Sequence, residues 1–551
     1  MELTRHWDDP EQVFAEYRAG VRYKTGLGEK GLYRQNEINR RFFTGDQWHG
    51  ARCGGERPLV RHNIIRRIGD YKMAAVGGSP IAVSYSADGV ANTVLLREQT
   101  YRNRQAIAAG EPTALPFEQE VGLVTDALSS YFSVTAERVG FEELRGEVLR
   151  GAYTTGTGVL YTYWDDRIRT GLYADERRTA PITGDIACEV LDIENVYFGD
   201  PTVENVQDQP FIVIAQRRPI SELRRLAKRY GRSKAEIAAI RPDRDEFTPQ
   251  GEPEGEGKAI LLTKFYKQPD ENGDVRLYGV QVCRGATIRP AWEMGIRLYP
   301  LCVFRWDRLP DCAYGLSEVT HLIPNQIAIN RMLTASVWAM MMQGLPTLLV
   351  NGDVVQQPVT NDPGQVVRVF GNSEDMRSAM TYIDPPQFSS RMSYEIENLI
   401  QNTMAQSGAN AVSLGDVTPD NTSAIIAVRE AAMLPLQTVR TRFHVFCEQV
   451  ARLWAEFWVM GYGNRALKVT DEFGTWYLPF DGERYRDLIL CARVDVGTAT
   501  LWSESQSIAT LDNLLQRGVI TVEQYLTRLP GGIVPDVEGL LREYREKGVT
   551  L

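Results

Sequence analysis

The chain has 551 residues, of which 43% are hydrophobic and 24% are charged. This length and composition predict a folded protein of about two to four domains and exclude an intrinsically disordered chain. The net charge of −10 argues against tight DNA binding, which needs a basic surface to neutralise phosphates. It does not exclude a protein that contacts DNA without holding it, because an acidic surface repels a polyanion.

Residues 1–10 contain no apolar segment of the kind found in signal peptides, so we expect an intracellular origin. The seven cysteines form no CxxC pair and the five histidines form no HxxxH or HExxH spacing, which predicts reduced, mostly buried thiols and no metal site. Residues 332–352 carry no charge, but Gln343, Gly344, Pro346 and Asn351 interrupt them. We therefore expect a helix buried against copies of itself or its neighbours, and no membrane span.

The N-terminal half alternates helical and strand patterns. Its first 75 residues are predicted to be largely helical, with a helix over 33–44. Further helices are predicted over 117–132, 141–155 and 221–230, and strands over 81–86, 159–164, 186–191 and 211–216. The clearest local signal is a hairpin of strands 259–266 and 275–283, because Asn272-Gly273 between them supports the positive φ angles of a tight turn.

The C-terminal half begins with two helices, 325–343 and 387–407, around an insert that contains a strand-like segment at 345–350. Two helices that bracket a small extension suggest a stalk with a structure at its tip. A loop at 408–421 then leads to an amphipathic helix at 423–460, which Pro435 should kink. That helix carries one apolar stripe, formed by Val439, Phe443, Phe446, Val450, Leu453 and Phe457. The remaining elements are strands over 467–469 and 487–496 and helices over 505–516, 521–529 and 535–547.

The loop 408–421 has two interpretations, a surface connection or a functional loop, since unstructured connections this long often bind something. It carries no lysine or arginine, and its polar side chains are those of Asn410, Ser413, Asp416, Thr418, Asp420 and Asn421. Such a loop could contact a phosphate backbone through weak hydrogen bonds without electrostatic capture.

Enzymatic motifs are absent from the sequence. There is no GxxxxGK[ST] phosphate-binding loop and no GxSxG, and the glycine cluster at 26–31 lacks the required spacing, which favours a turn. Asp165-Asp166, Asp307 and Asp311 could be combined into a two-metal nuclease pair. With 71 acidic residues in the chain, however, solvated surface carboxylates are the favoured interpretation.

Three groups of residues resemble motifs of one family. The first is Asn36 to Trp48 (NEINRRFFTGDQW), followed by Arg57-Pro58 and Asn63. The second is Glu194 to Pro201 (ENVYFGDP). The third is Tyr314 to Val319 (YGLSEV), with Pro324-Asn325-Gln326 and Ile329-Asn330-Arg331. In this order they are similar to the portal proteins of tailed double-stranded DNA bacteriophages, the rings through which the genome enters and leaves the capsid. The resemblance covers nearly the full length.

The resemblance implies an α+β protomer with a mixed α/β wing, a two-helix stem, a small β-containing clip, a long kinked wing helix and a helical C-terminal crown. The implied divisions are the wing at 1–315, the first stem helix at 316–343, the clip at 344–386, the second stem helix at 387–407, the tunnel loop at 408–422, the return of the wing at 423–500 and the crown at 501–551.

Portal proteins are usually dodecameric rings at one capsid vertex. The resemblance therefore implies a non-enzymatic protein of the virion, made in the host cytoplasm, which passes double-stranded DNA during packaging and ejection and needs no cofactor. The implied partners are further copies of the chain, the terminase large subunit, a head–tail adaptor protein, and the major capsid and scaffolding proteins. The implied DNA-channel residues are Asn410, Ser413, Asp416, Thr418, Asp420 and Asn421.

Past Arg331 the first stem helix is uncharged, and Met340, Met341 and Met342 offer few groups to DNA. We expect these methionines to pack between subunits. Two alternatives stay open, a phage packaging enzyme or nuclease that uses a carboxylate-bound metal, and a membrane-anchored scaffold that uses the uncharged segment.

Overall fold

A computed structural model provides the structure of the chain. It describes residues 7, 9–50, 58–78, 81–87, 90–108, 117–173, 181–243, 257–269, 273, 275–344, 348–355, 357–360, 366–370, 379–382, 390–409, 434–463, 465–471, 474–495 and 501–528. The fold is α+β, as predicted, with antiparallel pairing in every sheet of these ranges. No helix in the described ranges is long and apolar enough to cross a membrane.

The helices in these ranges are α1 Pro10–Gly26, α2 Leu32–Thr44, α3 Ile64–Gly77, α4 Val90–Ala108, α5 Phe117–Val139, α6 Phe141–Thr155, α7 Ile220–Arg229, α8 Lys234–Ala239, α9 Glu318–Gly344, α10 Ser390–Gln406, α11 Gln437–Gly461, α12 Leu501–Gln516 and α13 Val522–Arg528. The strands are β1 Ala82–Ser86, β2 Thr157–Tyr173, β3 Pro181–Leu191, β4 Val196–Phe198, β5 Phe211–Pro219, β6 Lys258–Pro269, β7 Val275–Cys283, β8 Ala286–Glu293, β9 Leu301–Arg305, β10 Leu348–Val350, β11 Met380–Tyr382, β12 Arg465–Asp471, β13 Gly474–Phe480 and β14 Cys491–Asp495.

The largest sheet has the strand order β4-β5-β6-β7-β8 and is covered by helices on both faces. Successive side chains of a strand point to opposite faces, so Leu262 of β6 packs beneath α1 whereas Leu261 packs beneath α7. The predicted hairpin of β6 and β7 is confirmed, with Pro269 opposite Val275 next to the turn. A second sheet, β3-β2-β9, packs against α6 and α11.

Helix α11 supplies the centre of the main core. Its predicted apolar stripe is confirmed, and Trp454 and Trp458 are fully buried beside it. The helix begins at Gln437, directly after a 3-10 turn at Leu434–Leu436 that contains Pro435. Proline cannot donate the backbone hydrogen bond of a helix interior, so at Pro435 the backbone forms a 3-10 turn and the α-helix starts after it. Residues 423–433 of the predicted helix lie outside the described residues.

Several elements were not predicted or were placed wrongly. Helix α4 is rich in threonine, asparagine and arginine and lacks a clear apolar stripe, β8 is interrupted by Arg289 and Pro290, and β9 has only five residues. The strand β13 was also missed. The strand expected over 487–496 begins only at Cys491, because a 3-10 turn at Gly482–Tyr485 and the Leu488 N to Tyr485 O hydrogen bond hold the chain in a turn.

Gly156 shows how closely the sheet β3-β2-β9 and the start of α9 approach each other. Its φ is +85°, and a Cβ added there would lie 2.2 Å from the carbonyl oxygen of Gly315. Backbone atoms cannot move aside as a flexible side chain can. We therefore expect Gly156→Ala to lower the free energy of unfolding by about 3 kcal/mol in urea denaturation.

Gly140→Ala is the matched control for this substitution. Gly140 also has a positive φ, +66°, but an added Cβ would meet nothing within 4 Å. We expect Gly140→Ala to lower the free energy of unfolding by only about 1 kcal/mol, because it adds a side chain at a positive φ without a steric clash. Equal losses in the two variants would contradict the proposed steric clash.

Buried tyrosines predict that the fold is sensitive to alkaline pH. Burial raises the pKa of Tyr85, Tyr153, Tyr161 and Tyr314 above the usual value. The unfolded chain loses these protons near pH 10 while the folded chain retains them, so stability is full below that pH and falls as the pH rises further. Exposed tyrosines such as Tyr101 and Tyr394 should form tyrosinate near pH 10 in the folded chain, whereas the last part of the tyrosinate absorbance should increase together with the loss of circular dichroism. Ionisation of all 24 tyrosines in a protein that keeps its circular dichroism would contradict this.

The cysteines in the described ranges are free thiols, as predicted, and most are buried. Burial raises the pKa of the Cys188 thiol to about 11 and that of Cys447 to about 12. At neutral pH these thiols are therefore protonated and unreactive.

Candidate functional site

The candidate site is the pair of helices α9 and α10 with the β10-β11 ribbon between them. The helices run antiparallel, since Asn325 Nδ2 near the start of α9 donates to Thr403 Oγ1 near the end of α10 over 3.1 Å. Helix α9 begins at Glu318, within the implied stem segment 316–343 but about two turns before the predicted start at residue 325. Pro324 therefore lies inside this helix, where its ring removes one hydrogen bond.

A buried ion pair and a side-chain hydrogen bond hold the first turn of α9 in place despite Pro324. Glu318 pairs with Lys72 of α3 and also accepts a hydrogen bond of 3.0 Å from the indole Nε1 of Trp306. Two residues along, Thr320 Oγ1 accepts a 3.0 Å hydrogen bond from Asn39 Nδ2 of α2. These tertiary contacts stabilise a helical start that the local sequence disfavours.

The base of α9 is fixed to the body by a polar network that we call the anchor network, formed by Gln47, His62, Gln326 and Asn330. Gln326 Oε1 accepts from the backbone N–H of Ile64 at 3.0 Å, and Gln326 Nε2 donates to the His62 carbonyl at 2.6 Å. Asn330 Oδ1 accepts from the His62 N–H at 3.0 Å, and Asn330 Nδ2 donates to Gln47 Oε1 at 2.6 Å.

The geometry of a helix explains why Gln326 and Asn330 act together. Residues four apart lie on the same face, and these two amides are 1% and 2% exposed and are joined by a 3.0 Å hydrogen bond. Residues 62 and 63 are not in regular structure, and the N–H of Ile64, the first residue of α3, has no partner within that helix, so these polar groups need partners. The two side chains supply them. One turn further, Thr334 Oγ1 accepts from the Val60 N–H at 3.1 Å.

The three sequence motifs are therefore linked to one another by direct contacts. Gln47 and Asn63 of the first motif lie beside Gln326 and Asn330 of the third. The second motif, 194–201, joins them through the Arg40–Glu194 pair at 3.1 Å and the hydrogen bond of 2.8 Å from Ala313 N to Pro201 O. Residues of the first and third motifs thus hold the base of α9 against the body, and the second motif packs against the segments that precede and support it.

The far end of α9 is different, because its side chains are apolar and exposed. Eight of the 16 exposed large hydrophobic side chains in the described ranges fall between residues 340 and 394. We call these eight the apical surface: Met340, Met341, Met342, Leu349, Val350, Val366, Phe370 and Tyr394. Thr334 makes one of the hydrogen bonds that join α9 to the body, and Met340 follows it six residues further along the helix. The apical surface thus lies beyond the anchored part of the helix.

The ribbon at the tip has little core of its own. Leu348 pairs with Tyr382 and Val350 with Met380, and the Asn351 N–H donates to the Ala379 carbonyl at 2.9 Å. An isolated two-stranded ribbon is marginally stable in water. Leu349, which is 51% exposed, leaves an apolar face of this ribbon in solvent, and exposed apolar patches commonly mark interaction sites.

Helix α10 ends in a Schellman motif that fixes where the predicted tunnel loop starts. Gly408 has a φ of +77°, its N–H donates to Ala405 O at 3.0 Å, and Ala409 N donates to Met404 O at 3.1 Å. This is the bond pattern of that cap. A Cβ at Gly408 would lie 3.4 Å from Pro435, so the chain before residue 410 and the chain after 433 are neighbours. The six predicted channel residues, 410 to 421, lie outside the described residues.

Three of the carboxylates considered for a nuclease, those of Asp165, Asp166 and Asp307, each lie opposite an arginine. Asp165 accepts from Arg167 Nε at 2.9 Å, and this arginine lowers its pKa below the usual value. Asp166 instead faces Arg229 at 3.7 Å, and Asp307 faces Arg442 at 3.8 Å. Across the ranges the structure describes, no three His, Cys, Asp or Glu side chains lie close enough to hold a metal ion.

The sequence matches no protein-family model, and no curated protein is significantly similar to it.

Proposed function

We propose that this chain is the protomer of a portal-type ring at one capsid vertex. In this proposal the ring is a channel for double-stranded DNA during packaging and ejection, and it docks the terminase motor and later the adaptor or tail. The major capsid and scaffolding proteins are the partners during assembly, and the protein resides in the virion. It acts as a conduit and not as an enzyme.

The observation that carries the proposal is the distribution of exposed apolar side chains. The base of the helix pair is held by the anchor network, whereas Met340, Met341 and Leu349 at its far end are 52%, 44% and 51% exposed. Burial of apolar area contributes about 25 cal/mol per Å², so neighbouring copies that pack side by side along these helices would gain stability. In a ring, identical protomers are arranged around one axis, so each copy presents the same polar base and the same apolar tip to its neighbours.

The uncharged face of α9 also fits a channel. From Met332 to the end of the helix at Gly344 the sequence has no charged residue, so this part of α9 would neither capture nor strongly repel a phosphate backbone. With a net charge of −10 for each copy, a ring carries a large negative charge. Repulsion of this kind keeps duplex DNA from binding tightly while it moves.

Imaging of the purified full-length chain tests the proposal. We expect negative-stain electron microscopy to show rings with a central hole. Native mass spectrometry should give one fixed copy number, as closed cyclic symmetry requires, and the resemblance to portal proteins implies that this number is about twelve. A compact monomer at all concentrations would overturn the proposal.

No contact among the described residues favours the alternative nuclease. The nuclease function would be established instead if the chain cleaved DNA in the presence of magnesium or manganese and lost this activity when one carboxylate cluster was mutated.

A further inference from the structure

A cleft of about 750 Å³ lies between the end of the large sheet and helix α11. One wall is formed by β7 and β8, the other by the last turns of α11, and residues 295–298 and 486–490 close the two ends. This volume is within the range of about 300–1,000 Å³ that is usual for ligand pockets. We call it the arginine cleft, because Arg276, Arg297, Arg452 and Arg486 line it.

Two of these arginines are already neutralised. Arg276 Nη1 lies 2.9 Å from Glu293 Oε1. Arg297 holds Glu456 through its Nε at 3.1 Å and its Nη2 at 2.9 Å, and its backbone N–H donates to the second carboxylate oxygen at 2.9 Å. These two ion pairs hold the side chains of Arg276 and Arg297 in place, so these arginines have little charge left to bind a ligand.

The other two guanidinium groups remain available. Arg452 and Arg486 are exposed and form no ion pair with any residue that the structure describes. The cleft as a whole has four arginines against three carboxylates, although the chain has a net charge of −10. The cleft therefore carries a local excess of positive charge on an otherwise acidic protein, and this charge attracts an anionic ligand.

Aliphatic side chains at the cleft narrow the class of ligand. Val275 and Ile489 line it and are 54% and 47% exposed. A nucleic acid carries a phosphate on every nucleotide, so some phosphates would lie close to Glu293, Glu456 and Asp487, and its backbone would leave the aliphatic groups uncovered. A peptide can instead place its carboxylates opposite Arg452 and Arg486 alone. A peptide that alternates carboxylates with aliphatic side chains complements both features.

We propose that the arginine cleft binds an acidic, aliphatic peptide segment of a partner protein. Carboxylates of the peptide pair with Arg452 and Arg486, where the planar guanidinium allows two parallel hydrogen bonds to one carboxylate. Its aliphatic side chains cover Val275 and Ile489. This site is far in sequence from the apical surface and needs no ring to form.

Fluorescence polarisation with the full-length chain tests this proposal. The probe is a fluorescein-labelled heptapeptide of alternating glutamate and leucine, and a peptide of alternating lysine and leucine is its control. We expect saturable binding of the acidic peptide that weakens as salt is added. The double variant Arg452→Glu/Arg486→Glu should bind at least about tenfold more weakly, and Ile489→Asp should also weaken binding.

Arg150→Glu is the matched control variant, because Arg150 is an exposed arginine of α6 that does not line the cleft. It should bind the acidic peptide like the unaltered chain. If the double variant does not fold, Arg452→Gln/Arg486→Gln takes its place. Absence of saturable binding, equal binding by Arg150→Glu and the double variant, or preferential competition by a DNA duplex would each overturn the proposal. None of these outcomes depends on whether the chain forms rings.

Discussion

The double variant Met341→Glu/Leu349→Glu is expected to stay folded but to sediment as a monomer under conditions in which the unaltered chain forms the proposed rings. Both side chains belong to the apical surface and are about half exposed in the single chain. A carboxylate placed in an apolar contact between copies loses its hydration without gaining a partner, at a cost of several kcal/mol. A weakening of about 4 kcal/mol at each contact lowers its association constant by about a thousandfold.

Analytical ultracentrifugation with circular dichroism measures this prediction, because it separates loss of assembly from loss of folding. Val134→Glu/Val519→Glu is the matched control, since these valines are 50% and 65% exposed but lie outside the apical surface. The control should assemble normally. Rings that persist in the apical variant, or an equal loss of rings in the control, would contradict the assignment of the apical surface.

Gln326→Leu is expected to be among the most destabilising single changes in the chain. Leucine has a similar size, but the N–H groups of Ile64 and Ile65, the His62 carbonyl and the Asn330 amide would each lose a partner. The Ile64 N–H and the His62 carbonyl keep the 2.9 Å hydrogen bond that joins them, and Asn330 keeps Gln47. An unsatisfied buried polar group costs about 1–3 kcal/mol, so we expect the free energy of unfolding to fall by about 3 kcal/mol. Urea denaturation monitored by tryptophan fluorescence measures it.

Gln401→Leu is the control for the same chemical change. Gln401 lies exposed on α10, and its amide reaches only Glu397, at 3.5 Å. We expect Gln401→Leu to change the free energy of unfolding by no more than about 0.5 kcal/mol. If Gln326→Leu also falls within that range, the anchor network does not hold the base of α9.

The sequence predicted those parts of the fold that depend on local periodicity. The stripe of α11 and the β6-β7 hairpin follow from residue spacing and from Asn272-Gly273, so no knowledge of distant neighbours is needed. Helix α6 was predicted at its observed limits, 141–155. Helix α4 was missed because its polar composition gives no apolar face.

The candidate site was predicted less completely, because its contacts join distant segments. The motif residues Gln326 and Asn330 carry a local signal, two amides four residues apart in a mostly apolar helix, which indicates a shared buried polar partner. Nothing local identifies that partner as the backbone of residues 62–64. Lys72 and Glu318 likewise gave no signal, and the start of α9 was placed too late because Pro324 normally ends a helix.

The anchor network also sets an order of events during synthesis of the chain. Its hydrogen bonds join residues that are 262 to 283 positions apart. At about 5–20 residues per second, roughly 15–50 s separate the emergence of His62 from that of Asn330. During that time the polar backbone at residues 62–64 cannot have its final partners, and α2 and α3 cannot be locked in place. Long-range closure of this kind is slow, so the body should complete its folding only after α9 has left the ribosome.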